Sequence, residues 1–118
     1  MIDMKILEEY RKIIFQLIDA TELSKIVWKR QNPSTIFYEK ITKNDEKAIM
    51  SVQSVGPRQR NHFVFNVQNA SKNEIIVSID STRDREFQEM LNDLFDKGMY
   101  SIEKRSLNFL RDILSDIG

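Results

Sequence analysis

The stretch HFVFNVQNASKNEIIVSID, residues 62–80, contains the clearest structural signal in the sequence. Apolar and polar residues alternate in both of its halves, and the short polar run NASKN separates the halves. A period of two places alternate side chains on the same face of a β-strand. The stretch therefore predicts two antiparallel strands that share one apolar face. That face comprises Phe63, Phe65, Val67, Ile75, Val77 and Ile79.

Three further strands are predicted on the N-terminal side of this pair. The segments IVWKR (26–30), TIFYEKIT (35–42) and KAIMSVQSV (47–55) are rich in β-branched and aromatic residues. The run QNPS separates the first two segments, and KNDE separates the second from the third. Pro33 lacks the N–H group that a strand ladder requires, and KNDE is typical of a hairpin loop. The middle of the chain is therefore expected to form about five antiparallel strands.

Both ends of the chain show a helical period instead. Apolar residues recur at spacings of three and four from about residue 3 to about residue 19, which predicts an N-terminal helix. The same period returns from Asp84 in two stripes, one over residues 87–102 and one over residues 109–117. Ser81 or Thr82 is expected to cap the helix that starts there. Gly98 would mark a kink, a tight contact or a helix boundary, so the pattern allows either one C-terminal helix or two.

This order of elements indicates an α+β fold. A helix, then about five strands in a meander, then one or two helices is not the alternation of a βαβ protein. A chain of 118 residues is expected to form a single domain over residues 1–118. The simplest packing places the terminal helices on one face of the sheet. A partial barrel plugged by the C-terminal helix is the competing arrangement.

Composition argues against several functional classes. Eighteen basic residues balance eighteen acidic residues, so the chain lacks the overall positive charge of a dedicated nucleic-acid-binding protein. The sequence contains no cysteine and one histidine, which excludes disulfides and cysteine-based zinc sites. Neither a signal-peptide core nor an apolar run of membrane-spanning length is present. We therefore expect a cytoplasmic protein without a cofactor, a metal or a membrane partner.

The single histidine is a weak candidate for catalysis. His62 would need a nucleophile, for which Ser51 and Ser54 are the local candidates, and an orienting carboxylate from Asp80 or Glu74. The sequence contains no motif that brings these residues together. The pattern favours a polar residue at the start of a strand, and we expect no enzymatic activity.

Three carboxylates cluster where the last strand meets the C-terminal helix. Asp80, Asp84 and Glu86 could bind Mg²⁺, which prefers oxygen ligands. Acidic residues are also common at helix starts because they interact favourably with the helix dipole. No glycine-rich phosphate-binding motif accompanies the cluster. The sequence therefore favours helix capping over metal binding.

A basic group suggests nucleic-acid binding as the alternative function. Arg58 and Arg60 lie two residues apart, and Lys29 and Arg30 follow Trp28. Two arginines at this spacing in an extended segment point the same way and could bind phosphate. A tryptophan beside cations could stack on a single-stranded base.

Surplus apolar residues on the helices suggest a different role. Phe15, Met90, Met99 and Tyr100 lie off the main helical stripes, and the C-terminal region holds much apolar surface for one small sheet to cover. Helices with such a surplus often pair across a dimer or bind another protein. The first hypothesis is therefore a small non-enzymatic interaction or accessory protein. It would act through its helical face or through self-association as a homo-oligomer, and its partner would be another protein or itself.

Overall fold

The computed structural model describes residues 4–56 and 62–118, apart from the side chains of Met4 and Arg83. The predicted α+β fold is confirmed. Its elements are α1 (Met4–Glu22), β1 (Lys29–Asn32), β2 (Thr35–Ile41), β3 (Lys47–Val55), β4 (His62–Asn69), β5 (Glu74–Asp80), a 3₁₀ turn (Ser81–Arg83) and α2 (Arg85–Ile117). The strands form an open antiparallel sheet in the order β1-β2-β3-β4-β5, rather than the partial barrel that was the alternative.

A row of buried apolar side chains crosses the sheet beneath α2. Its members are cross-strand neighbours on four adjacent strands: Ile36, Val52, Phe65 and Ile79. In the same layer the ring of Phe63 packs on Phe95 of α2, with 5.6 Å between the ring centroids. Such a row stabilises a sheet because each side chain contacts its neighbours on both sides as well as the covering helix.

A β-bulge changes the face of one predicted core residue. The pairing steps from Val67–Val77 to Gln68–Ile75, which leaves Ile76 as an extra residue in β5. A bulge breaks the strict alternation of side chains. Ile75 is therefore 68% exposed, and its predicted place on the apolar face with Ile79 is wrong. The prediction assumed an unbroken period of two along the whole strand.

The two helices run parallel to each other. Arg11 in the first half of α1 pairs with Asp84 at the start of α2, with 3.0 Å between Nη2 and Oδ2. Near the end of α1, Glu22 pairs with Lys97 in the middle of α2. Hydrogen bonds from Lys97 to Glu22, and secondarily to Asp93, raise the pKa of its ammonium group. The helices therefore lie side by side in register, and the whole sheet forms the connection between them.

The cap of α2 differs from the sequence prediction. Neither Ser81 nor Thr82 caps this helix, since both lie in the 3₁₀ turn that precedes it. Asp84 is the N-cap, and its Oδ1 accepts hydrogen bonds from the backbone N–H groups of Glu86 and Phe87 at 2.9 and 3.3 Å. A cap of this kind satisfies N–H groups that have no partner within the helix.

Gly98 is a point of close approach between α2 and the sheet. The C-terminal region is one helix of 33 residues that continues through this glycine. A Cβ atom at position 98 would lie 2.3 Å from Cδ1 of Ile36 and 3.5 Å from Cδ1 of Trp28. Of the three possibilities that the sequence allowed, the tight contact is therefore correct.

This contact predicts a coupling between two substitutions. Gly98→Ala is expected to destabilise the fold by about 1 kcal/mol, because overpacking of a buried contact outweighs the gain in helix propensity. In an Ile36→Val background the obstructing Cδ1 atom is absent, so the same change should be neutral or stabilising. Urea denaturation of the four proteins of this double-mutant cycle measures the effect. Additive free energies would contradict the proposed contact.

Candidate interaction surface

The last part of α2 extends beyond the rest of the fold. Residues 103–118 are all exposed, whereas Ile102 still packs against the core. We call residues 103–117 the distal segment. The Cα radius of gyration is 16.0 Å, against about 13–14 Å for a compact chain of this length. The projecting helix accounts for this difference, because 33 residues of α-helix span about 50 Å.

The distal segment has a broad apolar face. Its large apolar side chains are between 41% and 76% exposed. They are Leu107, Phe109, Leu110, Ile113, Leu114 and Ile117. Spacings of three and four residues place them on one side of the helix, and the other side carries charged and small polar residues. Contiguous apolar surface of this kind is typical of binding sites in soluble proteins.

Polar contacts hold α2 where it leaves the body. Arg105 donates a hydrogen bond to the backbone carbonyl of Trp28. Arg30 of β1 pairs with Glu103, with 3.6 Å between Nη2 and Oε1. Beside these contacts lies a groove of about 510 Å³, lined by Arg30, Ile102, Glu103, Ser106, Leu107 and Leu110. The apolar face of the distal segment therefore begins at the edge of the sheet.

Two of the four predicted surface residues lie elsewhere than expected. Met90 is 5% exposed and belongs to the core, and Met99 packs against that core. Phe15 and Tyr100 are exposed, although Phe15 lies on α1 and Tyr100 lies on α2 just before the distal segment. The prediction identified a surplus of apolar surface on the helices but placed it on these four residues rather than on the stripe of residues 109–117. The two stripes overlap in direction, since Phe109 and Ile113 lie five full turns beyond Leu91 and Phe95, so spacing alone could not show that only the first stripe is covered.

The basic residues proposed to bind nucleic acid do not form one surface with Trp28. Trp28 is 0% exposed, and its Nε1 donates a hydrogen bond to Oγ1 of Thr21 at 2.9 Å. It was the predicted stacking residue, and that prediction is wrong. Lys29 and Arg30 are exposed neighbours on β1, whose side chains point to opposite faces of the sheet. Arg58 and Arg60 lie outside the described residues.

Burial of the single tryptophan predicts its fluorescence. The emission of Trp28 should be blue-shifted in the native protein, and acrylamide should quench it strongly only after unfolding in urea. Single-stranded DNA and RNA at low salt should leave the emission unchanged, since the indole ring has no exposed face. A native spectrum equal to the unfolded one, or quenching by an oligonucleotide, would contradict this burial.

The register of the sheet separates the groups that were considered for histidine catalysis. His62 lies opposite Val55, and Ser54 lies opposite Phe63, so Ser54 and His62 point to opposite faces. Ser51 lies four residues from Val55, about 13 Å along the strand. Nε2 of His62 is 3.9 Å from Oδ2 of Asp80. His62 and Asp80 are thus close, but neither candidate serine reaches the imidazole ring.

The carboxylates at the start of α2 have structural partners. Asp84 caps the helix and pairs with Arg11, and Oε2 of Glu86 lies 3.2 Å from Nε of the same arginine. Asp80 caps the 3₁₀ turn by accepting from the backbone N–H of Thr82. Within residues 4–56 and 62–118, no three histidine or carboxylate side chains form a group that could hold a metal ion. The geometry therefore supports the capping interpretation.

Two substitutions of Asp84 distinguish these roles. Asp84→Asn retains a good N-cap but loses the charge that pairs with Arg11, so it should cost less than about 1 kcal/mol. Asp84→Ala loses both interactions and should cost about 1–2 kcal/mol. Thermal unfolding measured without added metal provides the comparison. If the carboxylates formed a metal site, the result would be the opposite. Neutralisation of Asp84 would then relieve the repulsion between the carboxylates and stabilise the metal-free protein.

Comparisons with known proteins do not assign this surface. No protein-family model, curated protein or solved structure matches the chain. In the parts of the chain that the structure describes, no helix has both the length and the apolar character needed to cross a bilayer. A functional assignment therefore depends on the geometry of the distal segment.

Proposed function

We propose that this chain is a non-enzymatic interaction protein that binds another protein surface through the apolar face of the distal segment. One observation carries the proposal: about four helical turns project from the fold with six large apolar side chains exposed on one side. Side-chain areas of about 200 Å² for phenylalanine and about 120 Å² for leucine and isoleucine, multiplied by the exposed fractions, give roughly 470 Å² of apolar surface. Apolar atoms supply about 56–65% of an interface, so this area matches the apolar part of the roughly 800 Å² that one partner contributes to a specific complex.

The energetics of helix formation support the same interpretation. An isolated helix of about 15 residues is only marginally stable in water, and most helical stability in proteins comes from packing of an apolar face. The N-terminal half of α2 has such packing through Phe87, Leu91 and Leu94, which are buried. The distal segment lacks this packing within its own chain, since each of its residues is exposed. A bound partner would supply the missing contacts.

The polar side of the segment favours a protein over a membrane surface. The segment carries Lys104, Arg105 and Arg111 as well as Glu103, Asp112 and Asp116, so its charges balance. Helices that lie in membrane interfaces usually carry an excess of lysine and arginine that attracts anionic lipids. A balanced charge provides no such attraction, whereas it suits the polar rim of a protein interface.

A pair of matched variants tests this proposal. Leu110→Glu with Leu114→Glu places two charges on the apolar face, and Asn108→Glu with Ser115→Glu places the same two charges on the polar side. Proteins retained by the immobilised full chain from an extract of its own cells, including further copies of the chain, are quantified by mass spectrometry. The first variant should reduce retention of specific partners more than tenfold, which corresponds to about 1.4 kcal/mol. The second variant should leave retention unchanged.

Circular dichroism and Trp28 fluorescence verify that both variants remain folded. Equal retention by the wild type and by Leu110→Glu/Leu114→Glu would exclude the distal segment as the binding surface. Absence of any specifically retained protein, including the chain itself, would also contradict the proposed function.

A further inference from the structure

We infer that the partner of the distal segment is a second copy of the same chain, bound antiparallel about a two-fold axis near Leu110. The inference rests on the proposed function, because it identifies what covers the same apolar face. Three properties of the segment support it: the area that two copies would bury, the distribution of charge along the helix, and the position of the segment relative to the body.

The available area matches what a dimer requires. Two copies would contribute roughly 940 Å² of apolar side-chain surface, and at about 65% apolar area this corresponds to a total interface of about 1,400 Å², within the range of about 1,200–2,000 Å² for specific interfaces. In a two-fold interface the same patch serves both copies, so the patch must complement itself. A face of leucine and isoleucine with one phenylalanine fulfils this requirement, since side chains at spacings of three and four interdigitate between paired helices.

The two ends of the distal segment carry opposite charge. Lys104 and Arg105 lie at its beginning, next to Arg30 of β1, and Glu103 offsets only one of these cations. Asp112 and Asp116 lie towards its end, where Arg111 is the only basic residue of the last seven. Antiparallel packing places the acidic end of each copy near the basic beginning of the other. Parallel packing would instead place like ends together, and such a juxtaposition is unfavourable.

The helix dipole adds to this preference. The C-terminal end of a helix carries partial negative charge, and it would approach the basic residues around the start of the other distal segment. Full overlap of residues 103–117 of the two copies places Leu110 beside its own counterpart. It also brings the tip of each helix to the groove beside Arg30 and Ile102 of the other copy. The two sheets would then lie at opposite ends of the paired helices.

Cysteine cross-linking tests the arrangement directly, because the chain contains no cysteine of its own. In the proposed register Ser106 lies opposite Leu114 of the other copy. A mixture of Ser106→Cys and Leu114→Cys chains, distinguished by tags of different mass, should therefore form a mixed disulfide under mild oxidation. Ser106→Cys chains alone should not cross-link. The matched control is Ser115→Cys, which lies next to Leu114 in sequence but on the polar side of the helix. It should not form the mixed disulfide with Ser106→Cys.

Sedimentation equilibrium of the purified full chain measures the association itself. The wild type and Asn108→Glu/Ser115→Glu should be dimers at concentrations where Leu110→Glu/Leu114→Glu is a monomer. A wild type that remains monomeric over a hundredfold range of concentration would overturn the inference. A disulfide between two Ser106→Cys chains would also overturn it, since that result requires parallel helices.

These experiments distinguish a failure of the dimer inference from a failure of the proposed function. If the purified chain is a monomer but retention of a different protein depends on Leu110 and Leu114, the inference fails and the proposed function stands. If the chain neither dimerises nor retains a protein through these residues, both fail.

Discussion

The packing of Trp28 between both helices and the sheet is the interaction on which the rest of the structure depends. Its indole N–H bonds to Thr21 at the end of α1, and its ring lies beside α2 at Gly98, where a Cβ atom would meet it at 3.5 Å. Its carbonyl group accepts from Arg105. One fully buried residue therefore joins every layer of the fold. Its packing determines three things together: the position of α1, the distance of α2 from the sheet, and the direction in which α2 leaves the body.

The same contact explains why the distal segment is exposed. A glycine lets α2 approach the sheet until Ile36 touches its backbone, so the helix crosses the sheet there and continues past β1. Beyond Ile102 the helix has passed the edge of the sheet, and its apolar side chains have no layer left to cover. The exposed apolar face is therefore a geometric result of a helix that is longer than the sheet beneath it.

Periodicity in the sequence was sufficient to predict the layers of this fold but not their local departures from regularity. The alternation in β4 predicted Phe63 and Phe65 in the core, and both are buried. The bulge at Ile76 leaves no local signature, because it depends on how β4 and β5 pair. The same limit applies to the candidate surface. Helical spacing identified the stripes, but which stripe is covered depends on the length of α2 relative to the width of the sheet, a property of tertiary structure.

The parallel arrangement of α1 and α2 has a consequence for synthesis on the ribosome. Of the described elements α1 emerges first, yet α2, the helix on which it packs, is translated only after all five strands. Until then Ile14 and Ile18, which are buried in the finished fold, remain open to solvent or to a chaperone. Contacts between elements that lie far apart in sequence are also slow to form, because closure of a long loop costs entropy. The meander can assemble before α2 has been translated, whereas α1 can dock only after α2 has emerged.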